Sequence, residues 1–327
     1  MNILITGGLG KVGTAVTALA LERGHKVSVF SQPDSQSARA AKAFEGRASI
    51  IYGTVEDPAS VYSAVVGADC VLHLAAIVPP KSEVDAGLTY AVNVLGTKNV
   101  AGAIIAAGRR AKLIFASSTS VMGPTQHKDP PVHPKDIANP TNFYTCSKID
   151  AEKMLHGSEV DFTVLRLASV MSDGGGYDNE SLRLLFDFPL EGRNEVVMAE
   201  DVATAMLNCA DMFEDNPGAV SHKTFFIGGG RKRGCQIKNR DLVSGMFRAM
   251  GISMLPADCF VPDMDKYYMD WYDTTISQVL LKYQNHTFEE YLAALRERAK
   301  KSRRAMKFVS PVLTASFEKM SPYCKRK

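Results

Sequence analysis

Two stretches of this chain carry residue types at spacings that chemistry can use. Tyr144 and Lys148 lie four apart in Tyr144-Thr-Cys-Ser-Lys148, and on a helix that spacing puts both side chains on one face. A lysine ammonium beside a phenol favours the phenolate and is expected to draw its pKa down towards working pH. The pair then reads as an acid/base unit that passes a proton to or from a carbonyl or alcohol oxygen. The second stretch, Thr6-Gly-Gly-Leu-Gly-Lys-Val-Gly13, follows an apolar run close to the N-terminus and opens a helical pattern. In such a turn Gly7 permits the tight bend, Gly10 lets the backbone approach a pyrophosphate, and Gly13 lets helix and sheet pack closely. The helix N-terminus adds free N–H groups and a positive dipole end for phosphate. Taken singly, a YxxxK pair suits a surface helix and a glycine turn suits a plain βα loop; together in one chain they point to a nucleotide-dependent enzyme.

Elements that could position these residues alternate through the first 170 residues. Strands are expected at Asn2–Thr6, Lys26–Ser31, Ser49–Tyr52, Cys70–Leu74, Lys112–Ala116 and Phe162–Leu167. Continuous apolar runs such as Ile-Leu-Ile and Leu-Ile-Phe suit strands covered on both faces, hence a parallel sheet with crossover helices. Helical patterns fall at Val12–Arg23, Pro58–Val66, Leu88–Ala107 and Asn142–His156, and later at Asp201–Met212, Asn239–Met250 and Phe288–Lys301, with a short strand at Thr224–Ile227. The expected fold is α/β, a doubly wound parallel Rossmann-type sheet. The expected division is a nucleotide-binding domain over 1–170, a smaller mixed α/β substrate lobe over 171–300, some of whose elements pass back to the main sheet, and a basic tail over 301–327. Ser172–Gly176 reads as the loop between the first two.

Composition narrows the function classes. With 46% hydrophobic and 22% charged residues, the 327-residue chain has the make-up of a globular enzyme. No apolar run is long enough to span a bilayer, and no signal-peptide pattern precedes the first strand. The net charge of +3 conceals a tail of eleven Lys and Arg against two acidic residues over 296–327, so the remainder carries −6. A mildly acidic body argues against nucleic-acid binding. Six scattered cysteines and seven histidines show no metal spacing, so no metal is expected and the thiols read as reduced, in a cytoplasmic protein.

Further segments complete a family pattern: Val71-Leu-His-Leu-Ala-Ala76, Asn93-Val-Leu-Gly-Thr97, Ser117-Ser-Thr-Ser-Val-Met-Gly123 and Glu200-Asp-Val-Ala203. With TGxxGxxG and YxxxK, these resemble the extended short-chain dehydrogenase/reductase family, also called the NAD-dependent epimerase/dehydratase family, over about residues 1–295. The resemblance implies a catalytic set of Ser118, Tyr144 and Lys148, with Ser118 bonding the substrate oxygen and Ser117 or Thr119 as one-residue slips. It implies that Lys148 also meets the cofactor ribose and that Asn93 orders the site. Cofactor contacts are expected from Gly7, Leu9, Gly10, Lys11, Val12, Gly13, Ser31, Val55, Leu74, Ala75, Ala76, Asn93, Ser117, Tyr144, Lys148, Leu167, Ser169 and Val170. NAD-specific relatives place a carboxylate at the end of the second strand; here stands Ser31, with Lys11, Arg39 and Lys42 as nearby cations. That tilts the expected cofactor, NAD(P), towards NADP(H) over NAD(H). His73 reads as a packed histidine and Cys146 as a small residue, neither with a chemical role.

Departures from the family pattern bear on the substrate. Relatives that dehydrate nucleotide sugars carry an acidic pair after the catalytic serine, where this chain has Thr119 and Ser120. Met122 and Met171 stand where sugar-handling relatives have tyrosine, and with Phe186 and Phe188 they suggest an apolar pocket wall. Arg183 and Arg193 are the arginines available for a diphosphate, and Arg193 is the expected substrate contact. The reaction read from these residues is hydride transfer between a nicotinamide and a secondary alcohol or ketone. A nucleotide-sugar epimerase is the alternative, and a non-catalytic NAD(P)-binding sensor or scaffold the alternative of another class. The long helices Leu88–Ala107 and Asn142–His156 suggest a homodimer, with Val92, Leu95, Val100 and Ile104 in excess of what one sheet face needs. Gly228–Gly234 reads as a solvated loop. In the tail, Phe308, Val309, Val312, Leu313, Phe317 and Met320 suit docking on a membrane surface, a partner subunit or the chain's own body, with Pro311 opposing a helix.

Overall fold

The computed structural model describes residues 1–108, 111–172, 183–266 and 268–324, with only the backbone of 304, 305, 307 and 308. Seven strands form one parallel sheet: β1 (Asn2–Thr6), β2 (Lys26–Ser31), β3 (Ser49–Tyr52), β4 (Cys70–His73), β5 (Lys112–Ser118), β6 (Phe162–Leu167) and, much later in the chain, β9 (Lys223–Ile227). Their spatial order is β3-β2-β1-β4-β5-β6-β9. Side chains alternate between the two faces: Ile3, Ile5 and Leu72 join one core cluster while Leu4, Val71 and Phe115 join the other. Burial on both faces is why these strands read as unbroken apolar runs.

One face is covered by α1 (Gly13–Glu22) and α7 (Ala199–Asp215), which pack on each other. The other carries α3 (Pro58–Val65), α5 (Gly96–Ala106) and α6 (Phe143–His156). Short α2 (Ser35–Ala41) follows β2, and α4 (Ala86–Tyr90) leads through a π-helical turn, Ala91–Leu95, into α5. The expected single helix Leu88–Ala107 is thus interrupted by a wider turn that carries Asn93. The strand order reverses at β1, flanked by β2 and β4, and a crevice opens there at the carboxyl ends of the strands.

The segment 171–300 is shared between sheet and lobe. After β7 (Ser169–Met171) and β8 (Arg193–Met198), the chain returns to the main body through α7, short α8 (Pro217–Val220) and β9, then leaves again for β10 (Gln236–Lys238). Strands β7, β8 and β10 make a separate three-stranded sheet. With α9 (Asn239–Met250) and α11 (Phe288–Arg298) they bury a second core, while α10 (Thr275–Leu281) packs back on α7 and β9. Most of the expected Ser172–Gly176 loop lies outside the described residues. The tail is a helix, α12 (Lys300–Met320), in spite of Pro311; Phe317 and Met320 pack against the lobe, which offsets the hydrogen bond proline forgoes. The Phe308 side chain lies outside the described residues. Among the described residues no helix is long and apolar enough to cross a membrane.

Candidate active site

The glycine turn is built as its spacing suggests. Gly7 adopts φ +70°, and a Cβ there would lie 2.8 Å from the backbone N of Ala75. A Cβ on Gly13 would run into the Gly7 carbonyl oxygen, which is what lets α1 seat against the turn. At Gly10 the nearest atom is 3.2 Å away and no other lies within 4 Å. Gly7 and Gly13 are closed by protein and Gly10 faces open space. That space is a cleft of about 260 Å³ lined by Gly7, Leu9, Gly10, Ser31, Val55 and the Leu74–Ala76 backbone, among others. Lys11 and Val12 sit on the turn itself, Lys11 exposed.

The far end of the cleft is polar in a way not anticipated from Ser31 alone. Gln32, Asp34, Gln36 and Ser37 also line it. Asp34 is the N-cap of α2, its Oδ1 accepting from Ser37 N at 2.7 Å, and the Ser31 hydroxyl lies 3.1 Å from that of Ser37. Among the described residues no lysine or arginine lines the cleft. The Asp34-x-x-Ser37 spacing is an N-cap signal that could have drawn attention to this carboxylate. Ile77 and Val92, not among the expected contacts, also line the cleft.

A buried relay ties the cradle to the catalytic helix. Thr97 Oγ1 donates to the Asn93 carbonyl at 2.7 Å, so it must accept from His73 Nε2, 3.0 Å away. That leaves Nδ1 to accept from Thr6 Oγ1 at 2.6 Å, and Thr6 Oγ1 in turn accepts from Ala75 N. Burial lowers the His73 pKa to about 3, with the Lys148 charge adding to the effect, so the ring is neutral and structural. The Asn93 side chain accepts from Ile77 N and donates to Ile77 O and Ser147 Oγ. Asn93 therefore positions the loop after β4 and the start of α6, its side chain held by protein partners.

Helix α6 is held at its first turn. Asn142 and Thr145 form a reciprocal capping box, and the Glu83 carboxylate accepts from the N–H groups of Phe143 and Tyr144, each at 3.1 Å. Four otherwise orphaned donors are thereby satisfied around Tyr144. Glu83 was not legible as a site residue, because its partners lie sixty residues on.

The three residues expected to be catalytic converge where β5 ends. β5 runs two residues beyond the expected Ala116, so Ser117 and Ser118 are its last members and alternate in direction. Ser118 Oγ lies 2.7 Å from Ser120 Oγ and acts on the Tyr144 phenol. Ser117 points the other way and donates to Glu152 Oε1 at 2.5 Å, which removes it from the cofactor contacts. Glu152 is buried, bonded to Arg166 at 2.6 Å, one helical turn beyond Lys148. Lys148 Nζ donates to the Ala116 carbonyl at 2.8 Å and lies over the Phe115 and Tyr144 rings, 4.8 and 5.9 Å from their centroids. Burial lowers its pKa to about 8 while Glu152 resists the shift. Burial also pushes the Tyr144 phenol up to about 12, with Ser118 opposing. The expected depression by Lys148 does not occur: desolvation outweighs any attraction at this separation, so the phenol stays protonated.

The remaining expected contacts are dispersed. Leu167 ends β6, and Ser169 and Val170 lie on β7, off the cleft wall; the Ser169 hydroxyl donates to Asn194. Arg193 is engaged by the protein itself: through Nε and Nη2 its guanidinium holds Asp270 at 2.6 and 3.0 Å and three backbone carbonyls at 125, 126 and 128. Met122 is packed beneath the strand end with its sulfur 3.4 Å from Arg166, and Phe186 lies in the lobe core beside Phe260; neither faces the cleft. Met171 is half-buried at the lobe core.

A model of the NAD dependent epimerase/dehydratase family matches residues 3–220. This chain belongs to that family. Epimerase/dehydratase-family relatives include a 3-beta-hydroxysteroid dehydrogenase from Mycolicibacterium neoaurum, 30% identical over 60% of this chain and 54% of its own length. Another is a 2-alkyl-3-oxoalkanoate reductase from Stenotrophomonas maltophilia, 28% identical over 77% of this chain and 76% of its own. The fold is also that of a UDP-glucose 4-epimerase solved with UDP-glucose from Thermotoga maritima: TM-score 0.78, 22% identity, 92% of this chain and 99% of that one. The chain spans about half the length of most of the curated relatives it matches.

Proposed function

We propose that this chain is a nicotinamide-dependent oxidoreductase acting on a secondary alcohol/ketone pair. The observation that carries the proposal is the meeting of Ser118, Tyr144 and Lys148 at the end of β5, in a chain whose glycine turn lines a cleft with room at Gly10. When bound, the dinucleotide supplies or takes up the hydride. The Gly7–Gly13 turn and the α1 N-terminus hold its diphosphate, and Lys148 suits the ribose hydroxyls. Ser118 hydrogen-bonds the substrate oxygen and steadies charge developing there. Tyr144, protonated at neutral pH because burial raises its pKa to about 12, donates its proton to a ketone oxygen in the reducing direction.

Net redox is favoured over nucleotide-sugar epimerisation because Arg193, one of the two arginines expected at a diphosphate, is committed to Asp270. The family and its relatives give no support to a non-catalytic sensor. The test is a screen of hydroxysteroids, hydroxy acids and 3-oxo acids, following nicotinamide absorbance, beside a UDP-sugar isomerisation assay. Isomerisation without net cofactor turnover would replace this reading with the epimerase one.

The Ser31 position tilted the sequence towards NADP(H). The cleft shifts the proposal to NAD(H), since Asp34 lines the ribose end and Lys11, Arg39 and Lys42 do not line it. A carboxylate there repels a 2′-phosphate and accepts from a free ribose diol. Titrating both cofactors should give tighter NAD(H) binding, and Asp34→Asn, which keeps the helix cap, should narrow the gap by roughly tenfold. Wild-type preference for NADP(H) would refute the assignment of Asp34.

A further inference from the structure

After α12 the chain folds back onto the lobe. Phe317, Met320, Tyr323 and Cys324 pack against the cluster around Phe186 and Phe260. The Tyr323 hydroxyl donates to Asp187 Oδ1 at 2.5 Å, and Ser321 Oγ donates to the Cys259 carbonyl at 2.6 Å. Cys324 N–H donates in turn to Ser321 Oγ. These bonds bring Cys324 Sγ to 2.6 Å from Cys259 Sγ, two thiols in direct contact although sixty-five residues apart in sequence. With Asp258 they are the one group of three such side chains gathered within 4.8 Å among the described residues.

The two thiols differ in access. Cys259 is buried, and burial raises its pKa to about 12; Cys324 is partly exposed. An incoming reagent therefore meets Cys324 first and finds Cys259 behind it. This is the arrangement of an attacking and a resolving cysteine.

We propose that Cys259 and Cys324 are a reversible dithiol–disulfide site, oxidised by a low-molecular-weight disulfide such as glutathione disulfide, that fastens the C-terminal segment to the lobe. The Cys324 thiolate attacks one sulfur of the small disulfide, whose S–S bond breaks; the released thiolate takes up the proton Cys324 gave up. Cys259 then attacks the Cys324 sulfur of the mixed disulfide. Its proton goes to the second departing thiolate, and the protein disulfide remains. Two protein thiols are oxidised and one small disulfide is reduced to two thiols. The new bond closes a loop holding α10, α11 and α12, which restricts the unfolded chain.

The experiment incubates the full chain with glutathione disulfide, traps free thiols under denaturing conditions, digests, and maps the peptides by mass. The expected product is a linked Cys259–Cys324 peptide pair. Limited trypsin should then cut the Lys- and Arg-rich start of α12 without releasing the C-terminal piece until reductant is added. Oxidation should also raise Tm by a few degrees in wild type and leave Cys324→Ser unchanged. A glutathione adduct that persists on Cys324 while Cys259 is still trapped as a free thiol would overturn the proposal, as would linkage of either residue to another cysteine. If Cys324→Ser fails to fold, the wild-type peptide map alone decides.

Discussion

Tyr144 and Lys148 are set against each other by one environment. Burial raises the phenol to about 12 and lowers the ammonium to about 8, so near neutral pH one holds its proton for transfer and the other holds its charge. Tyr144→Phe removes the transferable proton and leaves the cleft walls intact; turnover should fall on the order of 10²-fold or more with cofactor affinity nearly unchanged. Near-normal kcat would take Tyr144 out of the mechanism. For Lys148 the sign is equally definite. As pH rises through about 8 the ammonium is lost, and with it the ribose anchor and the positive charge beside the site, so kcat/KM should decline on that limb. Glu152 is the group that resists the depression, and Glu152→Gln should move the limb to lower pH. It should also lower Tm, because Arg166 loses a buried carboxylate. A limb that stays in place while Tm falls would make Glu152 a purely structural partner of Arg166.

At the scale of elements, the sheet was legible because its central strands β1, β4, β5 and β6 are buried on both faces and so are written as apolar runs. The lobe was not, and β8 shows why. Its residues Arg193, Asn194 and Glu195 are polar, yet Asn194 and Glu195 are fully buried. Glu195 accepts from Gly230 N, Gln236 Nε2 and Tyr272 N, partners between thirty-five and seventy-seven residues away. A period-2 apolar pattern cannot announce a strand stabilised this way. The same distance hid Glu83, whose carboxylate sits on the first turn of α6. Glu83→Ala should cost about 0.5–2 kcal/mol, the range of a lost helix cap, and lower kcat by loosening the turn that carries Tyr144, with Glu83→Gln intermediate. Thermal unfolding and steady-state kinetics on both variants check this; unchanged kcat with a lowered Tm would confine Glu83 to stability.

At the scale of the whole molecule, most of the apolar residues expected at a dimer face point inward. Val92, Val100 and Ile104 belong to the core beneath, because in a helix crossing a sheet the apolar stripe faces the strands first. Leu95 is the exception, 42% exposed. Around it the structure leaves Leu88, Tyr90, Ile105 and Phe143 between 45% and 50% exposed, five large apolar side chains on α4, the π-helical turn, α5 and the start of α6. Exposed apolar groups spread over adjacent elements of one layer are what an interface between copies buries. We propose a homodimer through these helices. Light scattering should give twice the chain mass at micromolar concentration, and Leu88→Lys with Leu95→Lys should give the monomer mass while far-ultraviolet circular dichroism stays unchanged. The Tyr144 turn adjoins this face, so the monomeric variant should also bind substrate less tightly. A wild-type chain that runs as a monomer across the micromolar range would assign those side chains to solvent.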